Sequence, residues 1–488
     1  MPGTHPTKPA PPHPGGANAL RRGAVRGASL ALAAQGAKTL LDAAAQFILL
    51  ALIAPSHLGV FAFAQALTGF VSCFGDLAGQ KFLVRRRALE PRVVATVYWM
   101  ELALGATVAA AWAIVAPTVL AGFGHADQAP FAQALALWIV LERLLLPKAV
   151  LDQRMAFGRS NGALLAATAI GSVVLLASAA LGAGPWSLVL GLLARTLASG
   201  AVLTLAARFH PLRAFDPAVA RELLVFGAPL LLSTALTFAY TNVDYLVVGQ
   251  MLGFTALGLY TAAYRYPHYL MQFSTILSSV ILSSFSKTAD NEHLARGLRL
   301  LTRYAAALAF IFPAAMWVEG EWLIQTLLPG RWWSALFAFQ VFTTLAALRL
   351  ALVHWGQVFV TRGETRPLML VGLVNLPLVT LGAWGGVKLA GLEGAALGVA
   401  AAAGTTLLAC CALLLKPRLP RFSYGEALSP VLKALLAFFL AALATRAITT
   451  PAPWAPGAGL LAGCVAYGAA LLALCGGEAR RVFGRGAR

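Results

Sequence analysis

Charge is scarce in this chain of 488 residues: Asp, Glu, Lys and Arg together make up 11%, against about a quarter in soluble domains. That shortage excludes an ordinary soluble enzyme or binding domain. Acidic residues are the scarcer sign, 18 against 37 Lys and Arg, for a formal net charge of +19. Cysteines number 5, and Cys73, Cys410, Cys411, Cys464 and Cys475 all fall in apolar stretches with no C-x-x-C pair. A disulfide framework and a thiolate zinc site are thereby excluded, and the cysteines read as small apolar packing groups. No G-x-x-x-x-G-K-[ST] loop and no H-E-x-x-H helix occur, which removes P-loop ATP hydrolysis and zincin chemistry. The stretch 1–28, rich in Pro, Gly, His and Arg, has no apolar run that would serve as a cleavable signal. It reads as a disordered basic tail on the cytoplasmic side.

Apolar residues are what the chain has in quantity: 59% of the total, with a mean hydropathy of +0.76. The expectation is an all-α polytopic membrane protein of about fourteen transmembrane helices. At about 20 residues each these use roughly 280 positions, and no room is left for a large soluble domain. The loops KFLVRRRALEPR, PKAVLDQRMAFGRS, RFHPLRAFDPAVARE, SKTADNEHLARG, VTRGETRP and KPRLPRFSYGEALSP recur at every second gap and, together with the two tails, hold most of the basic residues. This is the positive-inside pattern. It predicts both termini in the cytoplasm and contact with anionic membrane lipid rather than nucleic acid, since no basic surface interleaved with aromatics is present.

An internal repeat divides the chain. Leu58-Gly59-Val60-Phe61-Ala62-Phe63-Ala64 matches Leu257-Gly258-Leu259-Tyr260-Thr261-Ala262-Ala263 at an offset of 199 residues. An even number of spans between the copies makes them parallel repeats about an axis along the membrane normal. The expected organisation is a first lobe of six helices over 29–206, a linker over 207–223 and a second lobe of six over 224–415. Two further helices over 416–475 and a basic tail over 476–488 complete the chain.

Within these spans polar residues line up. Ser233, Thr237, Tyr240 and Asp244 share one face of the span 224–248, and Thr261, Arg265, His268, Gln272 and Ser279 share one face of 257–284. The first two spans carry Gln35, Lys38 and Asp42, then Gln65, Thr68, Ser72 and Asp76. A charge near the middle of a spanning helix costs about 2.5–3.5 kcal/mol on insertion scales and normally faces a partner or a watered cavity. Arg265, Lys38, Arg349, His268 and Gln272 are therefore the candidate substrate contacts. Asp244, Asp42, Tyr240, Asp76 and Gln65 are the candidate coupling or cavity groups. Each charged residue has a structural alternative: Lys38 and Asp42, four apart, are spaced to neutralise each other, and Arg195, Glu101, Glu142 and Arg143 lie where they can snorkel or pair at the cytoplasmic side. Pro229, Pro267, Pro313 and Pro377 inside spans are expected kink sites.

The run VDYLVVGQMLGFTALGLYTAAYRYPHYL resembles the seventh and eighth helices of the bacterial polysaccharide repeat-unit flippases, the PST or Wzx-type branch of the MOP transporter superfamily. It has the Asp, the Gly-x-x-x-Gly break and the Leu-Gly-x-Tyr opening, with SSFSK in place of a proline-containing helix end. Leu145–Leu197 resembles their fourth to sixth helices, and the likeness extends over roughly 25–420. The resemblance implies two six-helix lobes in a MATE-like arrangement, and a function translocating an undecaprenyl-pyrophosphate-linked oligosaccharide for O-antigen, capsule or exopolysaccharide biosynthesis. It also implies cationic residues on the first and eighth helices facing the lipid pyrophosphate; Lys38 and Arg265 occupy those helices.

No cofactor or metal is expected, while H⁺ or Na⁺ coupling through Asp244 or Asp42 stays open. Expected partners are the lipid-linked oligosaccharide, membrane lipid, and a polysaccharide polymerase with chain-length proteins. Other functions to set beside the flippase are a MATE-like cation-coupled exporter, a membrane enzyme of polysaccharide assembly, and a scaffold with purely structural polar stripes. Lys38 and Arg265 argue against the cation exporter. The short outer loops argue against the enzyme.

Overall fold

The structure, a computed structural model, describes residues 14–86, 88–285, 291–361, 366–409, 423–449 and 455–483, and no strand occurs among them. The helices in chain order are α1 (Pro14–Leu52), α2 (Pro55–Ser72), α3 (Gly79–Arg85), α4 (Pro91–Gly122), α5 (Ala129–Arg143), α6 (Pro147–Gln153), α7 (Phe157–Ala180) and α8 (Pro185–Ala207). They continue with α9 (Pro217–Phe285), α10 (Asn291–Ala309), α11 (Ile311–Leu327), α12 (Leu336–Thr361), α13 (Arg366–Ala409), α14 (Tyr424–Thr449) and α15 (Ala455–Phe483). Proline sits in the first turn of α2, α4, α5, α6 and α8, where its missing N–H costs nothing and its φ is already helical.

Eight helical stretches among the described residues are long and apolar enough to cross a membrane, with Val431–Ala444 and Gly457–Ala470 as shorter apolar helices. The chain is a multi-pass membrane protein; the figure of fourteen spans is not reached by this measure. Two of the eight stretches, Pro217–Arg265 and Leu370–Leu407, each contain a break.

Both breaks involve a glycine rather than a proline. Helix α9 departs from helical geometry at Gly253, φ 81° and ψ 177°, while Pro229 and Pro267 remain within helix. Only a residue without Cβ adopts such a backbone cheaply, so the stretch QMLGFTA turns at its glycine. Helix α13 breaks at Ala390 and Gly391 rather than at Pro377. Pro313 does act as expected: its ring excludes the carbonyl four residues back, and α10 gives way to α11 around Phe310. The expected span 298–318 lies within one apolar stretch, Gly297–Leu327, that runs across this junction. The stretch expected as a tail is also partly ordered, since α1 starts at Pro14 and runs through Ala, Leu and Arg, all strong helix formers. Between α8 and α9 only 208–216 is non-helical, so the stretch 207–223 is a linker only in part.

Because lipid offers apolar side chains no advantage over one another, helix association rests on close packing and hydrogen bonds. The two arms of α13 meet through Gly382, Gly386, Gly394 and Gly398; a Cβ at Gly386 would lie 2.0 Å from the Gly394 carbonyl oxygen. The most consequential contact joins the two repeats. A Cβ at Gly59 would lie 1.8 Å from the Phe254 carbonyl oxygen, and one at Gly258 would lie 1.7 Å from the Pro55 carbonyl oxygen. Pro55 and Phe254 are themselves repeat equivalents, so the contact is reciprocal, the signature of a two-fold relation. Beside it the Trp332 indole donates to the Leu50 carbonyl at 2.8 Å, tying the last turn of α1 to the second half. This end of the molecule is closed.

Away from this contact Arg86 pairs with Glu222, and the Trp99 indole donates to the Leu212 carbonyl at 2.9 Å. The Asp216 amide donates to Thr96 Oγ1 at 3.0 Å. These contacts fasten the segment joining the halves to α3 and α4.

Candidate substrate cavity

A cavity of about 550 Å³ lies between the halves, lined from α1, α2, α7, α8, α9 and α12. Its volume is in the range of ligand pockets. Three arginines reach it: Arg195 from α8, Arg265 from the second arm of α9, and Arg349 from α12. Arg265 Nη2 donates to Gln65 Oε1 at 2.7 Å, with its guanidinium 5.7 Å from the Phe61 ring centre. Arg349 Nη1 donates to the Tyr264 hydroxyl at 2.8 Å. Gln65 and Tyr264 occupy equivalent positions in the two repeats, so each copy supplies the neutral group that steadies one arginine. Neutral partners orient a guanidinium without cancelling its charge, and the remaining N–H groups stay available for an anion.

Arg195 is held differently. Its Nη1 donates to Asp42 Oδ1 at 2.9 Å, and Asp42 is the one carboxylate among the described lining residues. With three guanidinium groups and one carboxylate the lining carries a formal charge of +2. Gln46, Ser172, Thr241 and Asn242 complete it with uncharged polar groups, and Tyr245, Tyr264 and Tyr269 add aromatic edges.

The cavity thus brings together Arg265, Arg349, Asp42 and Gln65 of the expected site residues, and leaves others apart. Lys38 is half-buried one turn before Asp42, outside the lining. Asp42 pairs with Arg195 in place of the Lys38 pairing considered above. Asp244 is 2% exposed and does not line the cavity; it accepts a 2.6 Å hydrogen bond from the Tyr260 hydroxyl across the Gly253 break, and the backbone amides of Asp244 and Tyr245 lie close enough to interact with the same carboxylate. Tyr240 packs against Gly372 of α13. The side chains of His268 and Gln272 fall outside the described residues. Arg195, expected to snorkel or pair near the cytoplasmic side, does pair, with Asp42, and it lines the cavity without having been a candidate substrate contact. Its position on an apolar helix, like that of Arg265, was the available signal.

Asp76 belongs to a second cluster, within the first half. Arg143 there meets Asp76 at 3.5 Å, Glu101 at 3.4 Å and Glu142 at 3.1 Å. Ser72 Oγ donates to Glu142 Oε2 at 3.0 Å, and the Gly79 amide to Glu101 Oε1 at 2.8 Å. Every acid has a donor, so the cluster ties α2, α4 and α5 together. Removing one member of a buried pair leaves the other charge uncompensated, at about 3–5 kcal/mol. Arg143→Met is therefore expected to lower the thermal midpoint of the detergent-purified protein markedly; an unchanged midpoint would rule out this structural role.

The stretch Gly158-Arg159-Ser160-Asn161-Gly162 spells G-x-S-x-G, but Ser160 is wholly buried in the first turn of α7. A nucleophile elbow requires a strand-to-helix turn with an exposed serine, so the spelling carries no hydrolase chemistry.

Comparison with known proteins places this arrangement. A family model described as "Polysaccharide biosynthesis protein" matches residues 48–336. The succinoglycan biosynthesis transport protein ExoT of Rhizobium meliloti (strain 1021) is 24% identical over 290 residues, 58% of this chain and 58% of that protein. The lipopolysaccharide biosynthesis protein WzxC of Escherichia coli (strain K12) is 21% identical over 314 residues, covering 62% and 63%. The matched regions span less than two thirds of these relatives' lengths. Among solved structures, the lipid II flippase MurJ in an inward closed conformation superposes with a TM-score of 0.69 at 14% identity, over 93% of this chain and all of that one. The chain shares the fold of that structure.

Proposed function

We propose a function for this chain from the premise that it belongs to the polysaccharide biosynthesis protein family: it moves an undecaprenyl-pyrophosphate-linked oligosaccharide repeat unit from the inner to the outer leaflet of the cytoplasmic membrane. The transport and lipopolysaccharide-biosynthesis roles named for its relatives support this reading. The observation that carries it is a between-halves cavity where Arg265 and Arg349 are steadied by neutral groups and the lining has surplus positive charge. A cavity for a cationic drug would have the opposite balance. The guanidinium fork suits phosphate oxygens, and the uncharged amide, hydroxyl and aromatic groups suit the first sugar. The lipid tail stays in the bilayer.

The basic loops put the closed 55/258 end outside and both termini in the cytoplasm. Rocking of the halves about that contact then exposes the cavity alternately to each side. Driving force need not come from ATP: a dianion leaving a negative interior gains up to about 4–5 kcal/mol at 100 mV. H⁺ or Na⁺ coupling is a separate proposal, with Asp244 as its candidate group because it is a carboxylate buried within the helices; dependence of transport on either gradient would identify the ion. A polymerase and chain-length proteins are the proposed consumers of the product.

The test is the lipid-linked oligosaccharide pool of a strain lacking the gene, measured together with surface polysaccharide. Single repeat units accumulating on the inner leaflet, with surface polymer lost, are the expected result. Units reaching the outer leaflet unpolymerised would assign the chain to assembly after translocation, and unchanged pools would assign it another cargo.

A further inference from the structure

The three cavity arginines are not equivalent. Arg265 and Arg349 lean on a carboxamide and a phenol, whereas Arg195 is engaged by Asp42 at 2.9 Å inside the same lining. The pair is neither deeply buried nor free in solvent: the side chains are 35% and 20% exposed. A pair of this kind is held weakly enough to exchange. The Tyr269 hydroxyl also hydrogen-bonds the Asp42 carboxylate, so the carboxylate has a second donor on the cavity wall. Lys38, one turn earlier on α1, is close enough to interact electrostatically with Asp42 and with Arg195. Asp42 therefore has an alternative cation within reach on its own helix when it leaves Arg195.

From this geometry we infer that Asp42 is a tethered competitor of the substrate's phosphate: in the empty cavity it occupies Arg195, and an entering pyrophosphate displaces it toward Lys38. This rests on the flippase reading and assigns Arg195 as a third phosphate contact, with Asp42 a positioning residue that sets its availability. Both ligands are oxyanions seeking the same planar donor, so one leaves as the other binds. The tether matters at release. A group fixed on the same chain acts at an effective concentration in the millimolar range, so Asp42 recaptures Arg195 as the phosphate departs. The cavity then returns inward with its third cation already occupied, and product rebinding is suppressed. Arg265 and Arg349, held by neutral groups, remain the first contacts for the next substrate.

The sign of one substitution separates this from a purely structural pair. Binding of geranylgeranyl pyrophosphate to the detergent-purified full chain would be measured by calorimetry for wild type, Asp42→Asn, Arg195→Gln, the double variant and Arg265→Ala. Asp42→Asn keeps the size and a hydrogen-bonding oxygen of the side chain but removes the competing charge. It is expected to bind the probe on the order of five-fold more tightly, with turnover of lipid-linked substrate in vesicles slowed at release. In the Arg195→Gln background the gain should vanish, since the competed-for group is gone. If Asp42→Asn binds more weakly or equally, Asp42 is a structural partner of Arg195 and the inference fails. If it does not fold, Asp42→Ser carries the same charge test and the same criterion. Should Arg265→Ala bind the probe as well as wild type, the phosphate reading of the cavity itself fails; loss of binding there with no gain at Asp42 overturns the competitor alone.

Discussion

Arg265→Ala should abolish export while leaving the protein in the membrane at normal abundance. Arg265 reaches the cavity from the second repeat and is oriented by Gln65 of the first, so its loss removes a cation and a link between the halves at once. Truncating one partner of a desolvated, hydrogen-bonded charge pair costs about 2–5 kcal/mol, corresponding to roughly thirty-fold to a few thousand-fold in affinity. Surface polysaccharide would fall to background and single repeat units would accumulate on the inner leaflet. Arg265→Lys keeps the charge and loses the planar fork, so intermediate export is expected. Normal surface polymer in the alanine strain would remove Arg265 from the substrate site.

An equally large effect should come from adding a single methyl group at Gly59 or Gly258. Their Cβ positions fall 1.8 Å and 1.7 Å from backbone carbonyl oxygens of the opposite repeat, and backbone does not yield as a side chain does. Overpacking of this kind costs up to about 3 kcal/mol or more, enough to shift a two-state equilibrium more than a hundredfold. Spin labels at Ser56 and Thr255, themselves repeat equivalents, would report the result. The short distance of the closed form should dominate in wild type and disappear in Gly258→Ala, with export lost in parallel. Retention of the short distance in the variant would show that the contact does not govern closure.

These expectations draw on features of unequal legibility. The apolar spans, the break after Val248, and the two copies of the Leu-Gly motif are local patterns, and hydropathy and spacing expose them directly. The cavity is a different kind of object. The stripe from Ser233 to Asp244 marks a polar face on α9, yet the cavity is lined by Thr241, Asn242 and Tyr245, about one residue further around the helix. Asp244 turns instead to Tyr260. Periodicity gives the face a residue shares but not the neighbour that face meets. The stripe that starts on α2 is split too: Gln65 faces the cavity, Thr68 accepts a hydrogen bond from the Trp112 indole, and Ser72 joins the Arg143 cluster with Asp76, which lies beyond the helix end in extended backbone. Asp42 and Arg195 meet across 153 positions of chain, a pairing that depends on how α1 and α8 both pack on α7. Lys38 looked the better partner for Asp42 because spacing on one helix is visible and packing between helices is not.

The reciprocal Gly59 and Gly258 contact also bears on descent. Two copies of one ancestral six-helix unit, facing each other about a two-fold axis, would have made this same contact as separate chains. In the single chain the two halves differ at the cavity: the position that steadies an arginine holds glutamine in one copy and tyrosine in the other. At the glycines divergence is penalised from both sides, because each copy's glycine is the space the other copy's backbone fills. A substitution in one half cannot be relieved by shrinking a residue in the other, since the obstacle is main chain. The contact between the two copies is thus a place where neither glycine can be replaced without moving the other copy's main chain.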